Sequence, residues 1–402
     1  MLSLKNKRLV ILGAALMVLG FLAFIVQVAG DHPERAWQAY LINFLLWSAI
    51  AQGGFLFSVV MHLTKARWSG PLTNLSLMFA AFFPVSFGLF LFLFIGKSYV
   101  FPWTSMALHG KEVWLNVPFL FFRDAIALLV LYGVGFGCLF YTLQLKTDRP
   151  GAGGRLRTFL DQKLINHRDA GRNEDWIRHR ISLFSVLYAM AFAGALSLIG
   201  YDLVMALDPH WVSTLFGAYQ FIKAFYLGLG GLIILAAVVY LGHGDSSGLT
   251  SVHFHNLGKL FFAFCLLWAD FFYVQLVVIW YGNIPEETVY VIGRTMAPPW
   301  NMLAWTVLIV CFLLPFFILL NKKVKTRPRF MMILAAVIIG GIWLEHLLLI
   351  GPVLSHGSDT LPLGPMDGLM TLGFLGLMIF AVVFFMDTFP ELVRVKLPME
   401  EK

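Results

Sequence analysis

The run FMMILAAVIIGGIWLEHLLLIG, Phe330–Gly351, carries two ionisable side chains, Glu345 and His346, in a stretch otherwise made of apolar residues and glycine. A helix crossing the hydrocarbon layer of a bilayer needs about 20 such residues. Leu, Ile and Met follow one another here without the period-two alternation of a membrane strand. Nine other runs read the same way, so the spans fall near 9–30, 37–62, 71–96, 118–144, 181–207, 213–241, 257–282, 300–320, 330–351 and 366–388. The expected fold is an all-α integral membrane protein of about ten transmembrane helices, one polytopic domain over 1–402. Composition agrees: 13% of residues are charged against about 25% in soluble domains, and mean hydropathy is +0.80.

Basic residues set the expected orientation. Of 29 Lys and Arg, 23 fall on the side of the N-terminus, including nine in the 145–180 loop, the Lys322–Arg329 cluster, and Arg394, Lys396 and Lys402. Only Arg35, Lys97, Lys111 and Arg294 fall on the other side, and Arg123 and Lys223 lie within spans. Such a bias places both termini in the cytoplasm. The positive net charge then belongs to loops at a membrane rather than to a nucleic-acid surface. Trp37, Trp103, Trp114, Trp211 and Trp300 lie near the outer ends of spans, as an aromatic belt would. The first span ends in Val28-Ala29-Gly30, a loose likeness to a cleavage site, but its apolar run exceeds that of a signal peptide and reads as a retained anchor. The 145–180 loop is too short and polar to bury a core, and it separates spans 1–4 from spans 5–10.

Ionisable groups inside a bilayer cost roughly 2.5–3.5 kcal/mol each on the insertion scale, so each requires a reason. They are Arg123 and Asp124 in span 4, Asp202 in span 5, Lys223 in span 6, Asp270 in span 7, and Glu345 and His346 in span 9. All but Asp270 belong to the outer half; Asp270 lies near the midplane. One reading is internal ion pairing, Arg123 or Lys223 against Asp124 or Asp202, with Arg123 and Asp124 as structural partners. The other is proton exchange, centred on Asp270, Glu345 and His346. In the inner half, Ser48, Gln52, Ser58 and His62 share one face of span 2, at about 100° per residue. They would either order water from the cytoplasm to mid-membrane or serve helix packing.

Several chemistries are excluded or unsupported. Cys138, Cys265 and Cys311 form no CxxC or CxxCH and read as buried small hydrophobes. Membrane haem needs facing His pairs, and only His62 and His346 lie within spans, at opposite depths. His253 and His255 read as an inner loop, solvated or open to a metal that has no further ligands there. No phosphate-binding GxxxxGKS is present. The expectation is no redox cofactor or metal bound by this chain itself. Outer loops 98–117, 282–299 and 352–365 are rich in Trp, Tyr and Pro, which suits either docking of an extramembrane partner or capping of the bundle.

Three runs carry a family likeness: Trp280-Tyr-Gly-Asn-Ile-Pro-Glu-Glu-Thr, Trp343-Leu-Glu-His-Leu, and Trp37 to His62 followed by Leu-Thr-Lys-Ala-Arg-Trp. In combination they resemble the NrfD/polysulfide-reductase family of membrane subunits. More narrowly, the whole chain is similar to the smaller of the two ten-span NrfD-like subunits of Alternative Complex III, a bacterial quinol:electron-acceptor oxidoreductase. The resemblance implies two four-helix bundles, spans 2–5 and 6–9, flanked by spans 1 and 10, in a bacterial inner membrane. It implies as partners the larger NrfD-like subunit, a periplasmic iron–sulfur subunit of molybdopterin-oxidoreductase type, and haem c subunits. Quinol oxidation would belong mainly to the larger paralogue, with this chain as scaffold or proton carrier through Asp270, Glu345 and His346. Two alternatives stay open: direct quinol binding at Glu345 and His346, with electrons leaving to an iron–sulfur partner, and a stand-alone secondary transporter.

Overall fold

The computed structural model describes residues 7–106, 108, 110–146, 158, 173–354 and 360–392. Most of the 145–180 loop, Lys5, Arg394, Lys396 and Lys402 lie outside the described residues, as does part of the 352–365 loop. No strand occurs among the described residues. Ten helical spans are long and apolar enough to cross a membrane: span 1 Leu9–Val28, span 2 Pro33–Leu63, span 3 Arg67–Val100, span 4 Val117–Lys146, span 5 Glu174–Leu207, span 6 Phe216–His243, span 7 Ser251–Gly282, span 8 Trp300–Leu320, span 9 Pro328–Leu354 and span 10 Pro365–Thr388. An even number of crossings returns both ends to one face, called here the terminal side; the opposite face is the far side.

Span 2 is the shaft of the molecule. Its apolar window is 94% buried, whereas that of span 7 is 17% buried and that of span 1 is 22% buried. Span 2 packs on spans 3 and 5 on one flank and on spans 6 and 9 on the other. Spans 4 and 5 pair closely, spans 7 and 9 pack on span 6, and span 8 packs on spans 7 and 9, which yields groups 2–5 and 6–9. Spans 1 and 10 pair with each other and lean on span 2 and the middle of span 3. Both of the tightest crossings depend on glycine. A Cβ on Gly228 of span 6 would strike the backbone of Gly53 in span 2, and one on Gly20 of span 1 would strike Gly373 of span 10. Without a hydrophobic drive between helices in lipid, such close backbone approach is how dispersion contact is maximised.

Spans 3 and 8 are interrupted along their length. Span 3 passes through 3₁₀ turns at Leu77–Phe82 and Phe94–Gly96, the first just ahead of Pro84. Span 8 contains a π-helical turn, Ile309–Leu313, followed by Pro315. Proline has no N–H to give the carbonyl four residues back, here that of Cys311. That carbonyl instead receives the Tyr226 hydroxyl at 3.4 Å and the Cys265 thiol at 3.6 Å. Interhelical donors thus meet the backbone need that Pro315 creates.

Several spans extend further than their apolar runs. Span 5 starts at Glu174 and span 7 at Ser251. His253 is therefore not a loop residue: it lies in the first turn of span 7, where its Nδ1 accepts the Thr250 N–H at 3.0 Å in a capping box. His255 shares that turn. On the far side, the 282–299 stretch contains an amphipathic helix, Pro285–Thr295, rather than a plain loop.

Candidate functional site

Polar groups inside the bundle fall into two ionic clusters and one hydrogen-bonded chain. The first cluster joins spans 6, 7 and 9, about one to four turns below the far side. Lys223 Nζ reaches Glu345 Oε1 at 3.0 Å, the Tyr219 hydroxyl donates to the same oxygen, and Trp268 Nε1 donates to Oε2 at 3.2 Å. All four side chains are almost wholly buried. Two charges taken out of water this far hold together only when the remaining lone pairs are also satisfied, and Tyr219 and Trp268 do that for Glu345.

His346 follows Glu345 and points about 100° away around the helix. Its Nδ1 lies 2.9 Å from the Ile342 carbonyl, so Nδ1 carries the hydrogen and Nε2 is left as an acceptor. Nε2 is buried and receives no hydrogen bond from the chain. A buried polar atom in that condition calls for a partner beyond the side chains around it, water included.

The second cluster ties spans 4 and 5 to the far-side loop. Arg123 Nε and Nη2 each donate to Asp202 at 2.6 Å, the two-pronged pairing a guanidinium makes best. Trp114 Nε1 donates to Asp202 at 3.1 Å, and the Trp114 ring lies 3.8 Å under the guanidinium. Of the two acidic partners open to it, Arg123 thus takes Asp202 and not its neighbour Asp124. Adjacent residues on a helix diverge by about 100°, so Arg123 reaches across to span 5. Asp124 is fully buried, its carboxyl beside that of Asp202, which leaves two carboxyls around one guanidinium.

The chain lies between spans 2, 3, 4 and 5. Ser48 and Ser86 hydroxyls are 2.6 Å apart, Ser86 and Tyr132 hydroxyls 2.7 Å, and Gln52 Nε2 donates to the Tyr132 hydroxyl at 2.7 Å. Tyr188 donates to the Gln52 carbonyl at 3.0 Å. The expected stripe on span 2 is divided by this arrangement. Ser48 and Gln52 belong to the chain, whereas Ser58 turns back on the Phe55 carbonyl and His62 bonds Ser182 at 3.0 Å. Ser58 and His62 instead line a cavity of about 730 Å³ that opens on the terminal side. Towards the far side span 2 also buries Asn43 and Gln38, the latter against Gly351 of span 9. Gln38 Nε2, Asn43 Oδ1, Gln52 Oε1 and Gln220 Oε1 make no hydrogen bond within the chain. Of these, Gln38 packs against Gly351 of span 9, Gln52 reaches Tyr132 of span 4, and Gln220 packs against Gly200 of span 5.

Asp270 does not join them. It is exposed on the outward face of span 7, in an apolar groove with Leu266, Leu267, Tyr273, Leu308 and Phe312. The expected meeting of Asp270 with Glu345 and His346 does not occur, because the face of span 7 that holds Trp268 and Cys265 turns Asp270 away from the bundle. Among the described residues no three His, Cys, Asp or Glu side chains converge as metal ligands would.

Compared with known protein families the chain matches none, and no curated protein matches it.

Several participants escaped the sequence reading, among them Tyr219 and Trp268 around Glu345 and the buried amides Gln38, Asn43 and Gln220. Ser86, Tyr132 and Tyr188 are single polar atoms inside apolar runs and carry no spacing signal. Arg294, expected in an exposed loop, is buried on the far side: its guanidinium lies 3.4 Å over the Tyr290 ring, which stacks on Trp211 at 3.7 Å, and it donates to the Tyr290 and Leu349 carbonyls. Burial lowers the Arg294 pKa from its usual value and raises that of Tyr290. The only hint in sequence was the spacing of Tyr290 and Arg294, four apart and so on one helix face.

Proposed function

We propose that this chain is one membrane subunit of a quinol-oxidising respiratory complex of the Alternative Complex III kind, where it serves as scaffold and as a proton path beside the quinol-oxidising subunit. The observation that carries membership of an assembly is Asp270. A short carboxylic side chain a few ångströms from the middle of a 32-residue span cannot reach either headgroup layer. Facing lipid, it is expensive. Facing a transmembrane helix that offers a basic or hydrogen-bonding side chain at that depth, it is satisfied. A stand-alone transporter gives this carboxyl no such partner.

The basic bias of the loops supports termini in the cytoplasm of a bacterial inner membrane. In that orientation the terminal-side cavity admits cytoplasmic water to His62 and Ser58. The Gln52–Tyr132–Ser86–Ser48 chain, then Asn43 and Gln38 with their unpaired atoms, lead towards His346 and the Lys223–Glu345 pair. Hydroxyls and amides relay protons through water, and His346 Nε2 is the free base at the far end. Quinol and the haem c and iron–sulfur groups belong to the partner subunits in this reading.

The hydrophobic reagent dicyclohexylcarbodiimide tests the Asp270 argument, because it modifies lipid-facing carboxyls. With peptide mapping by mass spectrometry, Asp270 should be modified in the chain purified alone and protected in native membranes. Equal modification in both settings would show that nothing covers Asp270 and would remove the main support for the subunit reading.

A further inference from the structure

The terminal-side cavity has a second chemistry that water entry does not use. Its rim carries five basic side chains, His62 and Lys65 at the end of span 2, Arg67 at the start of span 3, Lys146 at the end of span 4 and Arg178 at the start of span 5. Among the described residues no Asp or Glu lines it. Arg178 is offset by Glu174 one turn away on the exposed side, and Lys146 donates to Asn74, so the rim keeps a clear surplus of positive charge. The floor is different: Met61, Leu77, Cys138 and Ile181 are apolar, with the Ser58 and Ser185 hydroxyls among them, and Cys138 lies about 12 Å deeper than Lys146 along span 4. A charged rim over a mainly apolar floor matches a headgroup with the start of its acyl chains below.

The walls also part on one side. Span 4 packs on span 3 along Leu77–Leu93, but the first turns of span 3, Gly70–Ser76, pack instead on spans 2 and 6. The terminal-side ends of spans 3 and 4 therefore diverge, bridged by the Lys146–Asn74 hydrogen bond. A lipid can enter between them from the surrounding leaflet. Basic pockets between helix ends are where anionic headgroups are held in membrane proteins, because several point charges act at once within a Debye length.

We infer that this cavity binds the phosphate headgroup of an anionic phospholipid from the terminal-side leaflet, with Lys65, Arg67, Lys146 and Arg178 as its cationic contacts. This requires only the ten-span membrane fold and is independent of the respiratory reading. The site would anchor the diverging ends of spans 3 and 4.

The test uses the full chain purified in mild detergent and exchanged into nanodiscs of phosphatidylcholine with or without cardiolipin. Native mass spectrometry after detergent release should find one anionic phospholipid retained per chain, and thermal unfolding should move to higher temperature with cardiolipin. Three changes together, K65Q, R67Q and R178Q, should weaken retention by roughly a hundredfold, at about fivefold for each charge removed. Changing the exposed pair Lys322 and Lys323 to Gln, on the same side but outside the cavity, should leave retention as it is. Retention that survives the triple change, or falls equally with the Lys322 and Lys323 changes, would overturn the assignment. So would equal stabilisation by excess inorganic phosphate, which would make the cavity a soluble-anion site, or by phosphatidylcholine alone.

Discussion

Glu345 receives three donors, yet only one of them, Lys223, balances its charge. That distinction sets what substitution should do. Changing Glu345 to Gln leaves a buried ammonium without its counter-charge, at a cost on the order of 3–5 kcal/mol. Changing Lys223 to Met strands the carboxylate at a similar cost. The double change removes both charges and should be less destabilised than either single one, by denaturant or thermal unfolding of the purified protein. Additive losses would mean that the two side chains are not coupled. The residue scale was only partly legible in sequence. The inventory of in-span charges was nearly complete, because an ionisable residue stands out in an apolar run; it missed Asp367, buried in the first turn of span 10. Their pairing was not: Arg123 chose Asp202 over its neighbour Asp124, and Lys223 chose Glu345, through helix rotations that spacing along one helix does not specify.

At the scale of elements, spans 2 and 6 cross where neither can carry a side chain. Gly228→Ala should force these helices apart and destabilise the protein by about 1–3 kcal/mol. Gly88→Ala, where an added methyl group meets open space, should be neutral or slightly stabilising in the same unfolding measurement. Existence and order of the spans were readable because a continuous apolar run has few other uses. Their ends were less readable: spans 5 and 7 continue several residues past the hydrocarbon layer, where polar residues such as Glu174 and His253 are welcome in a helix. The breaks in spans 3 and 8 lay at visible prolines, Pro84 and Pro315. Their consequence, a Cys311 carbonyl served by Tyr226 and Cys265, depended on which helices lie opposite.

For the whole molecule, the polar chain lies beside span 2, its most enclosed helix, with the basic cavity nearer one side of the bundle and the Lys223–Glu345 pair nearer the other. Asp270 points the opposite way, out of the bundle. An interior furnished with relay groups and an exterior carboxyl are the two features that support the proposed role as part of a larger membrane assembly. Ten spans alone suited a transporter equally well; the direction of Asp270 is what favours the proposed reading, and only the packing of span 7 reveals it. The most direct test is purification of the chain from its native membranes in mild detergent. Co-migration with haem c and iron–sulfur polypeptides in one quinol-oxidising complex is the predicted result. A lone protein that accumulates a solute when reconstituted into vesicles would contradict it.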